Sequence, residues 1–106
     1  MTEYDPLDIA GQTKEAEQAR RKAEREARQE AEDIKWLMTA KRGRRIVWLL
    51  LDRAGVFRTS FSSDPLVMAW NEGNRNTGNR MLSLINGECP DLYIKMLKEQ
   101  DNERND

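Results

Sequence analysis

The chain has 106 residues, 35% of them charged and 38% hydrophobic, with a formal net charge of −1 and no histidine. That length carries one small domain, and the charge load leaves less apolar material than an average globular domain holds. The missing imidazole removes the commonest general base, the commonest metal ligand and every His-containing triad, while the single Cys89 excludes an internal disulfide framework.

On these grounds a binding or structural protein is expected rather than an enzyme. No residue presents itself as catalytic, cofactor-binding or metal-binding, and no cofactor is implied. No run approaches the ~18 uninterrupted apolar residues of a membrane span, so no membrane partner is expected. The opening MTEYDP lacks a basic n-region and an apolar h-region, so no secretory signal is expected either.

Residues 1–12 form an acidic segment that carries Glu3, Asp5 and Asp8 and no base. Residues 13–33 (TKEAEQARRKAEREARQEAED) are nearly all strong helix formers and hold six bases against seven acids. Thr13, followed by Glu15 and Glu17, reads as the N-terminus, with acids placed favourably toward the helix dipole. Pairs such as Glu17–Arg21 and Glu24–Arg28 add i,i+4 support. An alanine stripe, Ala16, Ala19, Ala23, Ala27 and Ala31, runs on into Ile34 and Met38 at a mean spacing of about 3.7 residues, above the 3.5 of a left-handed coiled coil. Alanines bury little area, so the stripe permits close approach to another surface without driving it. It is a candidate partner-binding face, set against a plainly solvated helix whose alanines only supply propensity.

Residues 34–98 read as a compact helical domain. Between 34 and 97 lie 27 large apolar side chains, against Met1, Tyr4, Leu7 and Ile9 before them. IKWLM, with Asp33 as a candidate cap, leads into a polar hinge, TAKRGRR, where Gly43 is expected to break or kink the helix. IVWLLLDRAG follows, with Gly55 where a C′ residue belongs. The six apolar residues 46–51 fit a helix buried on most sides, with a strand of about six residues as the alternative.

Residues 34–62 also hold seven bases against Asp52 alone, a local net of +6. Lys41, Arg42, Arg44 and Arg45 are the candidate nucleic-acid contacts, reaching phosphates, with Trp36 and Trp48 as stacking surface. The overall balance of −1 is not that of a typical nucleic-acid binder, and IVWLLL is too apolar for a recognition helix, so nucleic acid is a less favoured partner. The plain alternative is a solvated hinge whose arginines pair with acids of the first helix or of a neighbouring subunit.

Residues 56–64 (VFRTSFSSD) read as an extended loop anchored in the core by Phe57 and Phe61. Ser63 or Asp64 ahead of Pro65 supplies an N-cap with proline at the first helical position. Leu66, Met68, Trp70, Met81, Leu82 and Ile85 flank the stretch NEGNRNTGNR in a helical rhythm, so helix is expected through it, weakened or broken near Gly73, and closing at Gly87. Its polar middle, 71–80, carries further candidate partner-binding residues, Asn71, Asn74, Arg75, Asn76 and Asn79. The glycines there form no phosphate-loop pattern, because the lysine and the preceding strand are missing. Trp36, Trp48 and Trp70 read as core fillers ahead of ligand platforms, and Cys89 as an inert buried thiol. Pro90 opens a last helix, PDLYIKMLKEQ, and 99–106 is a polar C-terminal tail.

The expected fold class is all-α: a small array of four or five helices with a long, charged, alanine-striped N-terminal helix. A core drawn from about 64 residues buries only ~60% of its unfolded surface, so stability is expected to be marginal or borrowed from a partner.

The strings DIKWLMTAKRGRRIVWLLLDRAGVFRTSF, NEGNRNTGNRML and CPDLYIKML, in that order, resemble a family of small bacteriophage proteins of the type first noted in a Bordetella phage, the Bbp19-like proteins. The shared pattern runs KWLM, GRR before an apolar helix, an AGV-[FY]-RTSF turn, EG-x-RN-x-G and CP-[ED]-LY, and it covers about residues 33–97. The family is encoded among the virion-structure genes of short-tailed phages and is assigned no enzymatic activity. The resemblance therefore implies a virion structural or assembly protein, located in the virion and, during assembly, in the host cytoplasm. Its expected partners are other virion proteins, with a homo-oligomer or multi-copy ring on a symmetric assembly. The head–tail connection (portal, adaptor or tail) leads, ahead of an internal virion protein. The alternative from another class is a DNA-associated phage protein that contacts phosphates through the basic hinge.

Overall fold

The computed structural model describes residues 9–105, and the regular elements among them are four α-helices: α1 (Ile9–Thr39), α2 (Lys41–Arg53), α3 (Pro65–Glu88) and α4 (Pro90–Arg104). The all-α expectation holds. Most of the acidic N-terminal segment, residues 1–8, lies outside the described residues. The chain divides into two units, Met1–Glu30 and Ala31–Asp106.

In the first unit, residues 9–30 are continuous helix with almost every side chain exposed. The helix already includes Ile9, four residues ahead of Thr13, whose hydroxyl donates to the Ile9 carbonyl at 2.8 Å. Thr13 is thus inside the helix, bonded backward to the preceding turn, and does not cap it. Glu17 takes Arg21 at 2.7 Å and Arg20 at 4.0 Å, and Lys22 reaches Glu26 at 4.0 Å. Pairs of this exposed kind contribute about 0.3–0.5 kcal/mol each, so this helix rests on propensity and local charge.

The second unit is built around Ile34, Met38, Val47, Leu51, Val56, Ile85, Cys89 and Met96. The spacings are those of single helix faces: Ile34 and Met38 in α1, Val47 and Leu51 in α2, Ile85 with half-buried Leu82 in α3, Met96 with half-buried Leu92 in α4. α2 packs on both α3 and α4, and α3 packs on α4.

The break between α1 and α2 is at Ala40, which is extended (φ −92°, ψ 143°), and not at Gly43. Gly43 lies buried inside α2, where a Cβ would stand 1.8 Å from the Leu37 carbonyl oxygen. Its role is to let the first turn of α2 approach the last turn of α1. Residues 46–51 are helical, which removes the strand alternative. Only Val47 and Leu51 are buried among them, while Ile46, Leu49 and Leu50 are exposed, so α2 buries one stripe and not most of its surface.

α2 ends in a Schellman turn. The Gly55 N–H bonds the Asp52 carbonyl at 3.0 Å, the Val56 N–H bonds the Leu51 carbonyl at 3.2 Å, and Gly55 takes the required positive φ of 82°. This turn folds Val56 back onto the core, so Val56 is the loop's anchor. Phe57 is instead 39% exposed and stacks on Trp48 at 4.7 Å, and Phe61 is exposed outright. Asp64 caps α3 as expected, accepting from the Leu66 N–H at 2.9 Å ahead of Pro65.

α3 runs unbroken through Gly73 to Glu88, and Gly87 falls within its last turn; Cys89 closes it, with its N–H on the Ile85 carbonyl at 2.8 Å. The low propensity of the asparagine-rich middle is overcome because Gly78 docks on the Schellman turn: a Cβ there would meet Val56 Cγ2 at 2.4 Å and Ala54 Cβ at 2.9 Å. α4 opens at Pro90 with Asp91 in its first turn and continues to Arg104, so the polar stretch from Glu99 to Arg104 is helical. Two of the three expected core tryptophans are exposed, Trp36 at 78% and Trp70 at 72%, and only Trp48 is half-buried. No helix among the described residues is long and apolar enough to cross a membrane.

Candidate functional site

The sharpest sequence feature, the basic cluster at the start of α2, separates into two kinds of residue. Lys41, Arg42 and Arg45 are exposed. Arg44 is 4% exposed and turned inward. Its Nε and Nη2 donate to the two carboxylate oxygens of Glu99 at 2.6 and 3.0 Å, and its Nη1 donates to the Met38 and Thr39 carbonyls at 2.9 and 2.8 Å. Those carbonyls belong to the last turn of α1, which has no intrahelical donors for them. One guanidinium therefore closes the end of α1, where its charge also suits the helix dipole, and ties that end to α4. The hydrogen bonds from Arg44 hold the Glu99 carboxyl below its ordinary range against the opposing effect of burial, with the charges of Arg44, Lys41 and Lys95 adding to the shift. The same bond raises the Arg44 pKa. Arg44 is thus a structural tie and not a phosphate contact. The fourfold basic cluster expected from sequence has three outward members.

The candidate polar residues of α3 also separate. Asn71, Asn74 and Arg75 line a cleft of about 280 Å³ together with Arg53, Arg58 and the loop residues Thr59 and Ser60. Asn76 and Asn79 do not line it: Asn76 is exposed and Asn79 half-buried. Arg53 and Arg58 were missed by motif reading because they belong to a charge surplus spread along the chain, and only the turn at 54–56 brings them beside Arg75. Ser60 is hydrogen-bonded to Glu72, the Asn71 amide donates to the Ser60 carbonyl at 3.4 Å, and Arg58 Nη2 donates to the Asp52 carbonyl at 2.6 Å.

The alanine face gains no contact that would mark a site. Ala16, Ala19, Ala23 and Ala27 are exposed and Ala31 is half-buried. A second cleft, of about 390 Å³, opens at the α1–α2 corner between Trp36, Leu37, Ile46 and the stem of Arg42. Cys89 is buried, and burial pushes its thiol up, with Glu88 adding to the effect and Lys35 opposing it. Among the described residues no group of three or more His, Cys, Asp or Glu side chains is placed to hold a metal ion.

The family model of the Bbp19-like phage proteins matches residues 34–98. The chain belongs to this family. The matched region of this Bbp19-like protein contains every core residue from Ile34 to Met96, both clefts and all three tryptophans, and it leaves residues 9–33 of α1 outside. No curated protein and no solved structure matches the chain.

Proposed function

We propose that this Bbp19-like chain is a non-enzymatic virion structural or assembly protein, present in multiple copies and held against other virion proteins. Placement at the head–tail connection comes first and an internal virion protein second. The carrying observation is where the large apolar side chains lie. Eight residues form the core, while thirteen large hydrophobic residues stay exposed among the described residues. Trp36, Leu66 and Trp70 are each more than 70% exposed, and Trp36 borders the apolar cleft at the α1–α2 corner. An exposed tryptophan beside an apolar cleft is typical of protein interfaces, where such residues carry most of the binding energy. The shortage of core supports the same reading, since a unit of this size gains stability from whatever covers its surface.

The test is quantitative mass spectrometry of purified virions, reporting copies of this chain per portal protein. A fixed ratio at whole multiples supports an ordered position in the particle. Absence from the particle overturns the virion reading. A DNA-associated role through the basic hinge is the weaker alternative, because Arg44 is committed to Glu99 and the end of α1.

A further inference from the structure

The core-facing stripe of α3 changes character along its length. Gly78, Leu82 and Ile85 lie on the packed face, and the same three-and-four spacing continues N-terminally through Arg75 and Asn71. Where apolar side chains would extend the core beneath the 54–64 loop, the helix places a guanidinium and an amide, both half-buried. The cleft they enter is also lined by Arg53, Arg58 and Asn74, and by no acidic side chain.

Glu72 stands at the edge, engaged by Ser60 and 3.8 Å from Arg75 Nη1. With Glu72 counted against three arginines, the cleft and its rim carry a net charge of +2. That pairing leaves the Arg75 Nε–H buried with no hydrogen-bond partner among the described residues. A buried donor without a partner is uncommon, and with the side chain as a whole 39% exposed the accessible part of this guanidinium is the part left to meet a ligand.

We propose that this cleft binds a phosphate-class oxyanion, with the guanidiniums of Arg53, Arg58 and Arg75 as donors and the Asn71 and Asn74 amides beside them. Three guanidiniums around one space hold more positive charge than a single carboxylate balances, whereas a phosphate offers oxygens to all three and suits their fork geometry. The phosphate arrives either free or as a monoester, or as a phosphodiester of DNA. The inference rests on the cleft alone and does not depend on a place in the virion.

The full chain is titrated with inorganic phosphate at constant ionic strength by calorimetry, and with a short DNA duplex by fluorescence anisotropy over a range of salt. Arg75→Gln and Arg53→Gln each weaken binding about tenfold to a hundredfold. Arg80→Gln makes the same charge change at an exposed α3 position outside the cleft and leaves binding unchanged. If Arg75→Gln lowers the thermal midpoint of the free protein, exposed Arg53 carries the test. Phosphate binding with this arginine dependence assigns the free or monoester source. DNA binding with the same dependence and no phosphate binding assigns the phosphodiester. The proposal is overturned if neither ligand binds, or if Arg80→Gln weakens binding as much as the cleft variants do. It is equally overturned if replacing Lys41, Arg42 and Arg45 by Gln abolishes DNA binding that Arg53→Gln and Arg75→Gln leave intact.

Discussion

Replacing Arg44 by Met tests whether a single buried guanidinium holds the second unit together. Methionine keeps an apolar stem in place, so the change isolates the polar head. The variant loses two bonds to Glu99 and the donor for the Met38 and Thr39 carbonyls. Breaking a buried pair by removing one partner costs about 3–5 kcal/mol. Glu99 retains 18% exposure and regains some water, so the low end applies, about 3 kcal/mol. For a domain of this size each kcal/mol moves the thermal midpoint by roughly 4–8 °C, giving a fall of about 12–24 °C. Urea unfolding followed by Trp fluorescence and circular dichroism measures the loss, and an unchanged m-value shows that the same surface unfolds. Glu99→Gln keeps an acceptor but removes the charge, and is expected to cost about 1–2 kcal/mol. The single variant Glu99→Met and the double variant Arg44→Met/Glu99→Met, set beside Arg44→Met, complete a cycle with a coupling of about 1.5–3 kcal/mol. A cost for Arg44→Met below about 1 kcal/mol, or a coupling indistinguishable from zero, would refute the reasoning.

The same pair sets a pH dependence. The Glu99 carboxyl lies below its ordinary value in the folded protein, so its stabilisation is fully present above the unfolded value of about 4.3 and is lost as pH falls through the folded value; Glu99→Gln should flatten midpoint-versus-pH curves in that acid window relative to wild type. Gly43→Ala puts a Cβ against the Leu37 carbonyl and should cost about 1–3 kcal/mol or more in chemical denaturation, because backbone cannot swing away as a flexible side chain does. Gly73→Ala, with nothing within 4 Å of the new Cβ on a continuous helix, should instead stabilise by about 0.5–1 kcal/mol, a sign difference that the same melts read directly. Ile85→Ala, at 0% exposure, should cost about 2–4 kcal/mol. Glutamates at Ala19, Ala23 and Ala27, all exposed, should leave the melting of residues 31–106 unchanged; if copy number in the virion is also unchanged, the alanine stripe is not a docking face.

What the sequence disclosed and what it hid follow from the range of the physics involved. Caps and turns depend on a few adjacent residues, so Asp64 with Pro65, Gly55 as the C′ glycine and Pro90 at the head of α4 were all legible. Helix continuity through 71–80 was harder, since its weak propensity is overridden by the contact of Gly78 with Val56 and Ala54, residues more than twenty positions away. Gly43 is opaque in sequence for the same reason: its residue type signals a helix break, whereas the requirement is steric, the nearness of Leu37 in another helix. The exposed tryptophans look like core residues in sequence because hydrophobicity is a property of one residue, while burial depends on which stripe of its helix faces inward. Arg44 drew attention as part of a charge run, yet its partner lies 55 residues away, and nothing in the run distinguished it from Arg42 or Arg45.

Arg44 and Arg75 can be compared because both place a guanidinium on a packed helix face. Arg44 precedes Val47 by three residues, and Glu99 follows Met96 by three, so the two charged groups extend the apolar stripes of α2 and α4 toward each other. All the neighbours that Arg44 needs are supplied by the chain: two carboxylate oxygens and two carbonyls. Arg75 stands in the corresponding relation to Gly78 on α3, but its acid, Glu72, is on the same helix at 3.8 Å, and its Nε–H is left without an acceptor. A guanidinium whose partners are all internal gains nothing from a ligand and serves stability. One that remains unsatisfied beside two more arginines and two amides loses stability in the free protein and regains it when an anion fills the cleft. On that contrast, phosphate should raise the thermal midpoint of the wild-type chain and of Glu99→Gln alike, while Arg75→Gln melts at a midpoint that phosphate does not move.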